Sequence, residues 1–144
     1  MMIFKSPQSQ EEFKQYYQLR YQVLRKPWEQ PLGSEKAEDD ESATHGMICN
    51  EQGVVIAVCR LHLNTPMEAQ IRFMGVAEDY RGKGIGLMLL TEMEKMAVAQ
   101  QARYIRLHAR ENAVPFYLKA NYTIEKESYV LFNVIPHFEM IKTL

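Results

Sequence analysis

Apolar residues along the chain change their spacing several times, and each change marks an element. Residues 2–5 form a short strand candidate, stopped near Pro7. Ser9 then opens a helix, and Glu12 three residues on completes the pattern of a reciprocal N-terminal cap. Phe13, Tyr16, Tyr17, Val23 and Leu24 give that helix one apolar stripe. Arg20 falls on the same stripe and is expected to snorkel from the helix edge. Over residues 26–42 the periodicity stops: Pro27, Pro31 and Gly33 punctuate a run containing Glu35, Glu38, Asp39, Asp40 and Glu41. A solvated loop or short helix is the plain expectation, and a wall that attracts a cationic acceptor is the functional alternative.

Alternation then returns. Residues 45–49 and 54–61 read as strands joined by Asn50-Glu51-Gln52-Gly53, a good hairpin signal. After a break at Asn64-Thr65-Pro66, residues 70–76 make a third strand. Residues 84–100 take the helical period, with Ile85, Leu89, Met93, Met96 and Ala97 on one face. The strand 104–109 sets Ile105, Leu107 and Ala109 on one side and Arg106 and His108 on the other. Strand, helix and strand in succession form a β-α-β unit, whose two strands are expected to be parallel. A short helix at 113–120 and strand candidates at 129–133 and 137–141, separated by Pro136, close the chain. The expected fold class is α+β, a mixed sheet in a single domain over residues 1–144.

Composition narrows this only slightly. The 144 residues suit one compact domain with its own core, and 47% hydrophobic with 24% charged residues is the balance of a soluble globular protein. No apolar run is long enough to span a bilayer, and the first residues lack the pattern of a signal peptide. A net charge of −1 gives no bias toward nucleic acid or an acidic membrane. Cys49 and Cys59 lack metal-ligand spacing, so two buried free thiols, a cytoplasmic protein and no metal site are expected.

The chemistry concentrates where strand 70–76 meets helix 84–100. Arg81-Gly82-Lys83-Gly84-Ile85-Gly86-Leu87 places three alternating glycines at a helix start, where unpaired amides and the helix dipole attract anions. Glycine lets a bulky anion reach the backbone, and Arg81 and Lys83 add charge. The loop therefore reads as a phosphate grip. It lacks the G-x-x-x-x-G-K-[ST] spacing of a nucleoside-triphosphate loop. It also misses the dinucleotide pattern, because Gly86 comes one position early and no acid stands near Gln101 and Ala102.

Arg81-x-x-Gly84-x-Gly86 between a hydrophobic strand and a long helix resembles the signature [QR]-x-x-G-x-[GA] of the GCN5-related N-acetyltransferase (GNAT) superfamily. Downstream, Asn112 is followed by Phe116-Tyr117-Leu118-Lys119-Ala120-Asn121-Tyr122, similar to the family's Tyr-x-x-x-Gly-[FY]. Asn121 stands where Gly is usual, a tolerable change because Asn also visits the left-handed conformation that ends helices. The ending Ile135-Pro136-His137-Phe138-Glu139-Met140 also looks like the last strand of some bacterial members.

The resemblance implies the acyl-CoA N-acyltransferase fold, mostly antiparallel with a central parallel strand pair flanked by helices. It implies acetyl-CoA as co-substrate and a primary amine as acceptor, attacking the thioester directly. Residues Gly82 to Leu87, with Ile85 among them, would hold the pyrophosphate. Met74 and Val76 would pair with the pantetheine arm, and a main-chain N–H near Val76 would polarise the carbonyl. Asn112 would join the cofactor site. Tyr117 would protonate the leaving thiolate, against the plain reading of a core aromatic. His108 and His137 are candidate bases, and Glu68 and Glu111 stand at strand edges; surface or structural duty is the plain reading of each. A non-catalytic acyl-CoA-binding module and a transferase for a longer acyl group are the alternatives. The acceptor and the oligomeric state stay open, a homodimer included.

Overall fold

The computed structural model describes residues 1–144. Its elements are β1 (Ile3–Lys5), α1 (Gln10–Leu24), β2 (Thr44–Cys49), β3 (Val55–Leu63), β4 (Glu68–Val76), α2 (Ile85–Ala99), β5 (Tyr104–Arg110), α3 (Val114–Lys119), β6 (Thr123–Leu131) and β7 (Ile135–Thr143). The strands form one seven-stranded sheet in the order β1-β2-β3-β4-β5-β7-β6. Every neighbouring pair is antiparallel except β4 and β5, which run parallel as the β-α-β pattern requires. The fold class is the expected one.

Helices cover both faces. α1 starts at the reciprocal cap: Ser9 Oγ accepts from Glu12 N at 3.0 Å, and Glu12 Oε1 accepts from Ser9 N at 3.2 Å. Tyr16 and Leu19 of α1 pack on Met47, Cys49, Val55 and Val58. On the opposite face Leu89, Leu90, Met93 and Ala97 of α2 bury Ile48, Ile56 and Leu61. β2 and β3 are thus covered twice, which explains their nearly unbroken burial. A Cβ at Gly75 would run into Val23 Cγ2, so glycine there lets the end of α1 lie directly on β4.

Three local expectations need correction. Arg20 does not snorkel: it is wholly buried, and its Nη1 donates to Asp40 Oδ2 at 2.9 Å. The acidic run is not simply solvated. Asp40 and Glu35 are buried, and Asp39 and Asp40 both accept from the wholly buried Arg60. Only Glu38, Asp39 and Glu41 are exposed. The strand expected at 129–133 begins at Thr123 and ends at Leu131, while β7 includes Pro136 instead of starting after it. β6 lies at the sheet edge with nearly every residue exposed, so burial writes no apolar alternation into it. Pro136 fits because β7 enters the sheet only one residue earlier.

Two irregularities of β4 create space. Pairing with β5 covers only Glu68 to Ile71 against Tyr104 to Leu107, after which the strands diverge. On its other edge β4 carries one extra residue, because Val58 faces Gly75 and Arg60 faces Arg72. Phe73 sits in that bulge at φ 54°, a left-handed conformation that is unusual for a bulky side chain and costs of order 1–3 kcal/mol.

Candidate functional site

The gap between β4 and β5 opens into two cavities that share Leu24, Met74, Arg110, Ala113 and Tyr117. One, of about 620 Å³, runs over the glycine loop and the start of α2. The other, of about 430 Å³, lies between β4, β5 and the β6–β7 hairpin.

The loop cavity exposes backbone amides. Gly82 and Gly84 sit at φ 74° and 80°, and a Cβ at either would meet nothing. The backbone amides of residues 82–87 have no carbonyl partner in the protein, so they are free to donate. Met74, Val76, Arg81, Gly82, Gly84, Ile85, Gly86, Leu87, Asn112 and Tyr117 all line this cavity. Lys83 does not; its ammonium lies over the Tyr80 ring at 5.5 Å. Arg81 braces the loop, with Nε donating to the Val76 carbonyl at 3.1 Å.

Tyr117 stands where the cavities meet. The α3 helix that carries it ends in a left-handed Asn121 at φ 74°, with Tyr122 N donating to Tyr117 O at 3.0 Å and Asn121 N to Leu118 O at 3.1 Å. Phe116 and Tyr122 clamp the ring edge-on at centroid distances of 5.0 and 5.6 Å. Its hydroxyl reaches only Met74 Sδ at 3.5 Å. Burial pushes this phenol above its usual pKa, with the nearby Arg110 cation opposing. Tyr117 is therefore a protonated donor without a strong acceptor.

The smaller cavity gathers His108, Tyr129 and His137 on one wall. Tyr129 stacks on His137 at 4.5 Å and tilts against His108 at 5.5 Å. His137 Nδ1 lies 2.9 Å from the Ile135 carbonyl, which can only accept. Nδ1 therefore carries the proton, and Nε2 is left with its lone pair. Burial lowers the pKa of both histidines, and Arg110 and His108 lower that of His137 further. Glu68 is elsewhere, bound to Arg106 at 3.1 Å and to Asn64, and Glu111 lines neither cavity. Sequence reasoning missed Arg25, Arg72, Arg110 and Tyr129. Their types carry no motif, and only the splay of β4 from β5 brings them together.

Residues 10–122 match the profile of the Acetyltransferase (GNAT) family. The chain belongs to that family. An uncharacterised N-acetyltransferase of Bacillus subtilis is 36% identical over 67 residues, covering 46% of this chain and 48% of the relative. The chain spans between 48% and 61% of the length of the curated relatives it matches. Among solved GNAT-like structures, a candidate N-acetyltransferase from Lactobacillus plantarum superposes with a TM-score of 0.88 at 22% identity, covering 99% of this chain and 98% of that one. An aminoglycoside 6'-N-acetyltransferase complexed with coenzyme A superposes with a TM-score of 0.80 at 15% identity over 98% and 96% of the two chains. These superpositions establish the GNAT fold for the whole chain.

Proposed function

We propose that residues 1–144 act as a single acetyl-CoA-dependent N-acetyltransferase domain, moving the acetyl group to a primary amine. The observation that carries this reading is Tyr117, a protonated phenol where an amide-lined anion cavity meets a second cavity large enough for an acceptor. Family membership and the coenzyme A held by a structural neighbour support the donor.

In this reading the free amides of residues 82–87 take the pyrophosphate, and the β4 edge at Met74 and Val76 takes the pantetheine arm. The thioester then lies beside Tyr117. An alkylammonium of pKa about 10 must lose a proton before it can attack. His137 Nε2 accepts that proton, because its lone pair is free and its lowered pKa keeps it neutral near pH 7. The amine adds to the carbonyl carbon, a main-chain amide near Val76 stabilises the oxyanion, and the C–S bond breaks. The thiolate takes the Tyr117 proton. The attacking nitrogen sheds its surplus proton, which restores the phenol.

Two results test this scheme. Gly86→Glu places a carboxylate in the first turn of α2, where it suits the helix dipole but faces the phosphates. At the new Cβ itself only Phe116 is tight, at 3.3 Å. Acetyl-CoA affinity should fall by about tenfold or more in calorimetry, with the circular dichroism spectrum unchanged. Undiminished affinity would remove the loop from the cofactor site. His137→Gln should cost about tenfold or more in kcat. A base works only when unprotonated, so the acidic limb of the kcat/KM profile, lying below the usual histidine value of about 6.5, should vanish with it. An unaltered limb would exclude His137 as the base.

A reducing cytoplasmic location agrees with Cys49 and Cys59, both buried free thiols. No helix is long and apolar enough to cross a membrane.

A further inference from the structure

The walls of the smaller cavity carry charge of one sign. Arg25 follows α1, Arg72 lies on β4 and Arg110 ends β5, and all three line the cavity. No Asp or Glu lines it. The contrast with the neighbouring arginines is sharp. Arg20 and Arg60 are neutralised by Asp40 and Asp39, whereas Arg25, Arg72 and Arg110 take part in no ion pair. Glu139, the cross-strand partner of His108, is bound to Arg106 and Lys126.

The three guanidinium groups are also held with donors to spare. Arg25 Nε and Nη1 donate to the carbonyls of Ser34 and Leu24, at 3.1 Å each, which leaves Nη2 unused. Its carbon sits 5.5 Å from the Phe73 ring centre and 5.6 Å from that of Phe132. The Arg72 guanidinium carbon lies 4.6 Å from the centre of the same Phe73 ring, and its side chain is in no ion pair. Arg110 makes a single side-chain hydrogen bond, at 3.5 Å, to the Leu24 carbonyl. The strained bulge at Phe73 thus gives two of the three cations a common platform. Burial, together with the charges of Arg110 and Arg72, makes the cationic form of Arg25 harder to hold. An anion arriving between these groups would relieve that repulsion.

We infer that the acceptor amine carries an oxyanion, a carboxylate or a phosphate, which Arg25 and Arg72 bind while its nitrogen faces His137 and Tyr117. This rests on the acetyl-transfer reading above and supplies its substrate class. The acidic run 35–41 does not offer the alternative, a wall for cations, at this site: none of its residues lines either cavity, and Asp39 and Asp40 are already paired with Arg60 and Arg20. Nor are Arg25 and Arg72 placed for the phosphates of coenzyme A: neither lines the glycine-loop cavity, which has Arg81 and Lys119 of its own. Like-charge repulsion disfavours polycationic acceptors such as aminoglycosides. The same positive walls lower the pKa of a bound ammonium and so favour the neutral amine that attacks.

The test uses matched amines with the protein and acetyl-CoA, followed as thiol release: L-amino acids against their amides, phosphoethanolamine against ethanolamine, and spermidine as a polycation. At least one anionic amine should exceed its neutral partner by about tenfold or more in kcat/KM, and spermidine should be the poorest. The amino-acid and phosphoethanolamine arms tell carboxylate from phosphate. Arg72→Gln, an exposed change that leaves the core alone, should raise KM for the anionic amine about tenfold and leave acetyl-CoA affinity untouched. Arg25→Gln should do the same, and Arg25→Lys should recover part of the loss. Turnover that favours neutral or polycationic amines would overturn the anion assignment and leave acetyl transfer standing. If no amine is turned over, calorimetry on the coenzyme A-saturated protein decides. Binding of an anionic amine that weakens in Arg72→Gln would uphold the site and overturn the transfer reading; no preference for the anionic partner would overturn the site itself.

Discussion

Tyr117→Phe should lower kcat by about 10²-fold, equivalent to about 2.7 kcal/mol of barrier, while acetyl-CoA affinity stays unchanged. The substitution removes one oxygen from a ring that Phe116 and Tyr122 continue to clamp. The hydroxyl's sole contact, to Met74 Sδ at 3.5 Å, is weak, so folding stability should hardly change. What disappears is the proton for a thiolate of pKa about 8.5. The phenol's raised pKa fits the role in one respect and limits it in another. It keeps the proton in place until the C–S bond breaks, but it makes the free tyrosinate costly, so the phenol must recover its proton quickly from the attacking nitrogen. Thiol-release kinetics and calorimetry read the two halves separately. An unchanged kcat would remove Tyr117 from the mechanism.

Asp40→Ala should cost about 3–5 kcal/mol of unfolding free energy, read from urea titration, because it leaves buried cations uncompensated. One carboxylate serves four donors. Oδ1 accepts from Arg60 Nη1 at 2.8 Å, and Oδ2 accepts from Arg20 Nη1 at 2.9 Å, Tyr17 OH at 2.8 Å and Ala37 N at 3.1 Å. Arg60 would retain Asp39, but Arg20 would retain no carboxylate at all. Burial alone would raise the Asp40 pKa; the hydrogen bonds from Arg60, Ala37 and Tyr17 and the charge of Arg20 outweigh it and bring the value to about 2, from a usual 3.8. A depressed carboxylate stabilises the fold fully above its unfolded pKa and loses that contribution as pH falls through its folded one. Stability should therefore drop between about pH 4 and pH 2, and the drop should be smaller in Asp40→Asn. A loss below about 1 kcal/mol in Asp40→Ala would show that Arg20 finds compensation elsewhere.

Features written in local chemistry were legible from residue order. The cap at Ser9 and Glu12, the 3.6-residue stripe of 85–97 and the hairpin at Asn50 to Gly53 each depend on contacts within a few residues. The parallel pair followed from chain connectivity. The hairpin between β6 and β7 was misplaced for a local reason. Its turn puts Phe132 and Asn133 at φ 53° and 61°, and Phe-Asn lacks the glycine that normally announces such a turn. Asn121 was readable, because a left-handed helix end tolerates Asn almost as it does Gly.

By itself the sequence determined the elements of the proposed donor half: an amide-rich helix start after a strand, and a tyrosine one helix further on. Both are short-range patterns, since phosphate recognition needs only consecutive backbone amides and the glycines that expose them. Tertiary structure alone decided what lines the cavity proposed for the acceptor. The bulge at Phe73 and the divergence of β4 from β5 bring Arg25, Arg72 and Arg110 to one cavity from positions up to 85 residues apart in sequence. It also decided that Asp39 and Asp40 neutralise buried arginines instead of facing a substrate. Charge in a sequence has a sign but no partner; only packing settles which charges cancel and which are left to bind.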